Sequence, residues 1–364
     1  MKIIYVLPQK NFFSENALGR VSHAIGILNG LSNNGAKVTV VAEEGINLFQ
    51  DRLNNDVDVI AIDRKKNYLL FFLEIFKSSF SSEGILLIRH NLFFILLTFP
   101  FIFLRRSVVE VNGFATDVST SFKKFLTPIT KFIYNITFLP FSSIYCVNEP
   151  IQKAVWPFMR YFKSVVVIEN GGPKQNNLNH QLSTGKIDFL FYGGFNPYVG
   201  FDHLIKAFQS VNSKFNSQLH IVGFGPQQDH IEQLIKDDKN IIFSGKKNLT
   251  ELREYLSKLD SKVVGLIPMN IRYPENKLKP IKAFEYMSLG LPLIYADCCF
   301  EGIIEDKKDS IMYATGSSKS LVNAMSVYLK KTEIYEVFSD RIKNIYKGCT
   351  WEERMKVLIN SLKQ

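Results

Sequence analysis

The chain has 364 residues, with 46% hydrophobic and 21% charged side chains and a net charge of +10. That length suits two domains of ordinary size, and that much apolar material supplies real cores and excludes a disordered chain. Cys146, Cys298, Cys299 and Cys349 show no C-x-x-C spacing and no nearby His pair, which argues against a zinc site or disulfide framework and for buried thiols in a reducing compartment.

The opening MKIIYVLP has no long apolar run before a small-residue cleavage site. It predicts a first buried strand and not a signal peptide, so the protein is expected to stay in the cytoplasm. A polar loop, QKNFFSENALGR, follows. Val21, Ala24, Ile25, Leu28 and Leu31 then recur at helical spacing, Asn34-Gly35 closes that helix, and KVTVVA and DVDVIAID predict two more strands. Strands alternating with helices imply a parallel sheet with right-handed crossovers.

Residues 67–106 are unusually apolar. NLFFILLTFPFIFL has no charge, contains Pro100 and is followed by Arg105 and Arg106. It is shorter than the roughly 20 residues that span a bilayer. Either it is a buried core helix, or it is a surface patch that dips into a bilayer while nearby cations meet anionic headgroups. SFKKFLTPITKFIYNITFLPF mixes Lys with Phe, Leu and Ile in the same way, and the basic excess is densest over 102–163. The two segments favour peripheral membrane contact through the N-terminal half. No nucleic-acid-binding motif accompanies the charge, so nucleic acid is not an expected partner.

The second half repeats the grammar. IDFLFYGG, LHIVGFG, NIIFSG, KVVGLIP and LPLIYAD read as strands, with helices FDHLIKAFQSV, QDHIEQLIK, LTELREYLSKL and PIKAFEYMSLG between them. This predicts a second doubly wound domain, with the junction near Asn170–Pro173. Gly193, Gly194, Gly223 and Gly225 end two of its strands. Glycine there serves ordinary turns, or lets backbone N–H groups approach a phosphate. Neither pair matches a dinucleotide fingerprint or a Walker A loop. Gly19 occupies the loop after the first strand, beside Arg20.

In PIKAFEYMSLGLP, Pro280 suits a first helical turn and Gly290 the left-handed end, giving a helix of about three turns. Lys277, Lys279 and Lys282 crowd its N-terminus. Cations there oppose the helix dipole unless an anion is bound. Lys282 and Glu285 share a face, either as a surface salt bridge or with Lys282 neutralising a diphosphate and Glu285 accepting from ribose hydroxyls. Ile281, Phe284 and Met287 form a core stripe.

Taken in order, VVVIENGGP, FLFYGGFNPYVGFDHLIKAF, LHIVGFGP, NIIFSGKKNLTELREYL, PIKAFEYMSLGLPLIYAD, KDSIMYATGSSKSLVNAM and TWEERMKVLINSL resemble the retaining glycosyltransferases of family 4. The resemblance implies an α/β GT-B fold: two doubly wound Rossmann-like domains facing a central cleft. Residues 1–170 would bind the acceptor, with a closing helix of about 350–364 packing back on them. Residues 171–349 would bind a UDP- or GDP-sugar as substrate, with no cofactor and no metal. ILLIRHNL and VVEVNGF resemble a subgroup and put Arg89, Glu110 and Asn112 on the acceptor side. Lys282 and Glu285 take the catalytic roles, and Gly19, Gly193, Gly194, Gly223, Gly225, Lys277 and Pro280 join them in donor binding.

The chain also departs from the pattern. Lys277 stands where the first Glu of the E-x7-E motif belongs, with Glu275 two residues off. Gly194 and Val199 stand where an Arg and a Lys usually meet the diphosphate, and Asn112 lies near the usual place of a His. Lys282, helped by Lys277 or Lys279, is expected to supply the displaced charge. The reading is a transferase at the inner face of the cell membrane, acting on a lipid-linked glycan in surface-polysaccharide synthesis. A nucleotide-sugar epimerase and a non-catalytic binding subunit of the same fold are the alternatives.

Overall fold

The computed structural model describes residues 1–14, 18–81, 83–113, 127–178, 185–270, 279–300 and 302–363. The chain divides into two compact units, residues 1–171 with 351–364 and residues 172–350. Cys146, Cys298, Cys299 and Cys349 are buried free thiols.

In the N-terminal unit the strands are β1 Lys2–Val6, β2 Lys37–Glu43, β3 Val57–Ile62, β4 Ile85–Arg89, β5 Ser107–Val111, β6 Ser143–Cys146 and β7 Ser164–Val167. They form one parallel sheet in the order β3-β2-β1-β4-β5-β6-β7. Helices cover both faces, so a strand must be apolar on both. In β1, Ile3 and Tyr5 enter a core with the helices Leu18–Asn33 and Trp351–Ser361. Ile4 and Val6 enter the opposite core, beneath the helices Tyr68–Phe80, Leu92–Ile102 and Thr127–Phe138. The period-2 alternation of side chains makes that division.

The C-terminal unit repeats the plan with β8 Ile187–Gly194, β9 Leu219–Phe224, β10 Ile241–Phe243, β11 Lys262–Ile267, β12 Leu293–Ala296 and β13 Ile311–Tyr313. Its parallel order is β10-β9-β8-β11-β12-β13. Both sheets therefore reverse their strand order once, between β1 and β4 and between β8 and β11. In an open α/β sheet, ligands bind outside the carboxyl ends of the strands at that switch point.

Two expectations shift. Gly19 lies in the first turn of Leu18–Asn33 and not in the preceding loop. The segment from Pro280 forms a helix over Ile281–Ser288, about two turns instead of three. Pro280 stands just before it with ψ 136°, and its carbonyl accepts from Ala283 N at 3.0 Å.

Candidate functional site

At the switch point of the C-terminal unit, β8 and β11 pair only as far as Leu190 and Gly265. Beyond that the strands separate, and the N–H of Tyr192 donates to the Tyr286 hydroxyl at 2.6 Å. Tyr286 is fully buried, and its ring passes where a side chain at Gly265 would stand. The helix Ile281–Ser288 is thereby pinned over the end of β8.

One turn earlier on the same helix face, Lys282 runs past Gly193: a Cβ there would lie 3.4 Å from Lys282 Cδ. The Lys282 ammonium sits 4.4 Å from the centre of the Phe191 ring. Burial lowers the Lys282 pKa to about 8, while Cys299 and then Glu285 pull the other way. Glu285 is thus an electrostatic neighbour of Lys282, and its backbone carbonyl accepts from Ser288 Oγ at 2.6 Å.

Three of the strand-end glycines are required by their backbone conformation, and two of these by packing as well. Gly193, Gly223 and Gly225 have φ of 136°, 145° and 154°, outside what other residues readily adopt. A side chain at Gly223 would overlap the carbonyl oxygen of Gly193, and one at Gly225 would meet Phe195 N at 2.7 Å. Gly194 has ordinary φ and is exposed, and Val199 is 1% exposed in the core. Structure thus brings Gly193, Gly194, Gly223, Gly225, Pro280, Lys282 and Glu285 to one end of one sheet. Lys277 and Glu275 lie outside the described residues. Gly19, in the N-terminal unit, has an exposed backbone with nothing within 4 Å of an added Cβ.

Arg89, Glu110 and Asn112 also come together, at the carboxyl ends of β4 and β5. Glu110 is fully buried and is the hub. It accepts from Arg89 Nη1 at 3.0 Å, and from Asn112 and the Tyr5 hydroxyl. His23 Nε2 lies 2.8 Å away, and the other His23 nitrogen is 2.9 Å from Asn170 Oδ1. Burial by itself raises the Glu110 pKa, but Arg89, His23 and Tyr5 overcome it and hold it at about 2. Arg89, its side chain 14% exposed, is held charged by Glu110 and lies 5.0 Å from the Phe12 ring centre. Arg20 stacks on the same ring at 5.4 Å, and its Nε donates to Phe12 O at 2.9 Å.

Sequence reasoning missed Tyr5 and His23, which are 105 and 87 residues from Glu110. No local spacing announces them. It also missed Phe191 and Cys299 beside Lys282. Among the described residues no group of three or more His, Cys, Asp or Glu side chains could hold a metal ion.

Residues 186–331 match the model of the family described as glycosyl transferases group 1. No curated protein matches the chain. Among solved structures, Anabaena HepE in complex with UDP superposes with a TM-score of 0.69 at 14% identity, covering 99% of this chain and 100% of that one. Sucrose-phosphate synthase from Thermosynechococcus elongatus gives 0.67 at 15%, covering 100% and 99%. The lipopolysaccharide outer core galactosyltransferase WaaB, in its apo form, gives 0.64 at 12%, again covering 100% and 99%. The fold is GT-B, and the chain resembles the group 1 glycosyltransferases.

Proposed function

We propose that this chain is a retaining glycosyltransferase that takes a sugar from a nucleotide-diphospho-sugar. The observation that carries the reading is Lys282, held beside Gly193 at the switch point of the C-terminal sheet. At neutral pH a group with a pKa of about 8 is mostly charged. An arriving diphosphate would strengthen that charge, together with the free N–H groups of the helix start. Glu285, one turn on, would accept from ribose hydroxyls.

In the proposed step the acceptor oxygen bonds to the anomeric carbon as its bond to the diphosphate oxygen breaks, on the face the leaving group vacates. The acceptor proton passes to the departing phosphate. Lys282 acts by stabilising the leaving charge, an electrostatic and preorganised contribution. The carbonyl ends of β8 and β9 and their glycines leave the backbone open for close approach. Arg89 and Asn112, held by Glu110, would meet the acceptor. The acceptor we assign is a lipid-linked oligosaccharide in surface-polysaccharide synthesis at a membrane, because the N-terminal unit combines apolar and basic surface. UDP in the HepE complex makes UDP-sugars the first donors to try.

The test is incubation with a UDP- and GDP-sugar panel and membrane lipid extract, with product detection and thermal-shift measurement. Lys282→Ala is expected to lower turnover by about 10²–10³-fold, the scale of losing one such charge contact. Wild-type turnover in that variant would remove Lys282 from the mechanism. If no nucleotide stabilises the chain, a non-catalytic binding subunit becomes the better reading.

A further inference from the structure

The three helices on one side of the N-terminal sheet are apolar on both faces. Inward, Phe71, Phe94, Ile102 and Phe138 pack with Val6, Ile88 and Ile144. Outward, Phe93, Leu96, Leu97 and Phe101 recur at helical spacing along Leu92–Ile102 and remain 41–72% exposed. Ile129, Phe132 and Ile133 are likewise exposed on Thr127–Phe138, at 36–56%, and Leu69, Leu70 and Leu73 on Tyr68–Phe80, at 44–60%. A short helix, Met159–Phe162, adds Tyr161 and Phe162 at 85% and 82% exposure.

The pieces join. Phe76 meets Phe101 at 4.9 Å between ring centres, Leu92–Ile102 packs on Thr127–Phe138, and Phe132 meets Trp156 at 5.4 Å, which meets Phe158 at 5.5 Å. All but five of the exposed large hydrophobic side chains among the described residues lie in 68–104, 129–133 and 158–162. On the other side of the sheet, the helices Leu18–Asn33 and Trp351–Ser361 expose one such side chain, Val357. A continuous apolar face of this kind is covered in use.

Charge selects the cover. Leu92–Ile102 has no charged residue, and Thr127–Phe138 has only Lys131. Lys77 and Arg160 are exposed on the surrounding elements. The acids there lie beside cations, Glu74 by Lys66, Glu83 by Arg105 and Glu149 by Lys153 at 3.6 Å. A second copy bound through the same face would bring the same excess of positive charge to both sides. An anionic lipid surface complements them and needs no shaped partner. With 11 residues, Leu92–Ile102 is far below the roughly 20 needed to span, and among the described residues no helix is long and apolar enough to cross a membrane.

We propose that this face lies on an anionic bilayer, with Phe93, Leu97, Phe101 and Phe132 at acyl depth. Tyr161 and Phe162 anchor one edge, with Arg160 at the headgroups, as aromatic and basic residues do at such interfaces. The inference extends the proposed function by naming the surface that would bring a lipid-linked acceptor to the enzyme.

The test is flotation of the full chain with phosphatidylcholine vesicles, with and without phosphatidylglycerol, at low and high salt. Binding is expected with the anionic vesicles and should weaken with salt. The exposed-face variants Phe93→Ser with Leu97→Ser, and Tyr161→Ser with Phe162→Ser, should each lower partitioning about tenfold or more. Their melting temperature and thermal shift with UDP should be unchanged. The proposal is overturned if the wild type floats with neither vesicle, or if both double variants float as well as the wild type. A dimer in sedimentation that these substitutions split, with no vesicle binding, would make a second copy the occupant and also overturn it. Vesicle binding without any nucleotide response would sink the transferase reading and support the docking surface.

Discussion

Lys282 and Glu110 are the two side chains whose environments make sharp demands. Lys282 keeps its charge below about pH 8 and loses it above. If it neutralises the donor diphosphate, UDP-sugar affinity should fall as pH rises past that value, and a bound diphosphate would push the inflection upward. The inflection should vanish in Lys282→Ala, measured by calorimetric titration across pH. For Glu110, the folded value of about 2 lies below the ordinary 4.5. Its contribution to stability is therefore full above about pH 4.5 and is lost as pH falls towards 2. Glu110→Gln would leave Arg89 and His23 facing a neutral amide in the interior. It should cost about 3–5 kcal/mol and flatten that acid limb in pH-dependent thermal melts. Spacing pointed to Lys282, because a cation at a helix start breaks a local rule. His23 and Tyr5 broke none and were invisible until the sheet brought them to Glu110.

Among the elements, several helices begin at an asparagine. Asn67, Asn91 and Asn148 accept from the N–H three residues on, and Asn248 forms a full capping box with Glu251. Asn248→Ala should lower stability by about 1 kcal/mol, read as a lower melting temperature with UDP binding unchanged. The short helix Ile281–Ser288 shows where local reading falls short. Pro280 and Gly290 bracket it, and Gly290 does take the left-handed φ of 75°. Its height over the end of β8 is decided by the Tyr286 hydroxyl on the Tyr192 N–H, a contact across 94 residues. Leu92–Ile102 was open between a buried core helix and a patch dipping into a bilayer; the structure buries one face of it and leaves the other exposed. Periodicity cannot tell these faces apart when both are apolar.

Over the whole molecule, the chain leaves the N-terminal unit after Gly171 and returns to it at Trp351. Gly26 and Gly30 on Leu18–Asn33 clear the space for Trp351, whose ring meets the edge of His23 at 5.0 Å. Arg354 reaches Glu169 at 3.5 Å. Trp351→Ala should cost about 3–5 kcal/mol. In scanning calorimetry it should lower the transition of the N-terminal unit and spare that of residues 172–350. The alternation of strands and helices, the glycines at strand ends and the ordered motifs by themselves determined an α/β protein of two doubly wound parts with GT-B likeness, since strand and helix periods are properties of neighbouring residues. Tertiary structure alone decided which side chains surround Glu110, that Lys282 lies against Gly193, and that the apolar helices turn one face outward. Each depends on strand order in a sheet, which joins residues far apart in the chain and leaves no trace in any local spacing.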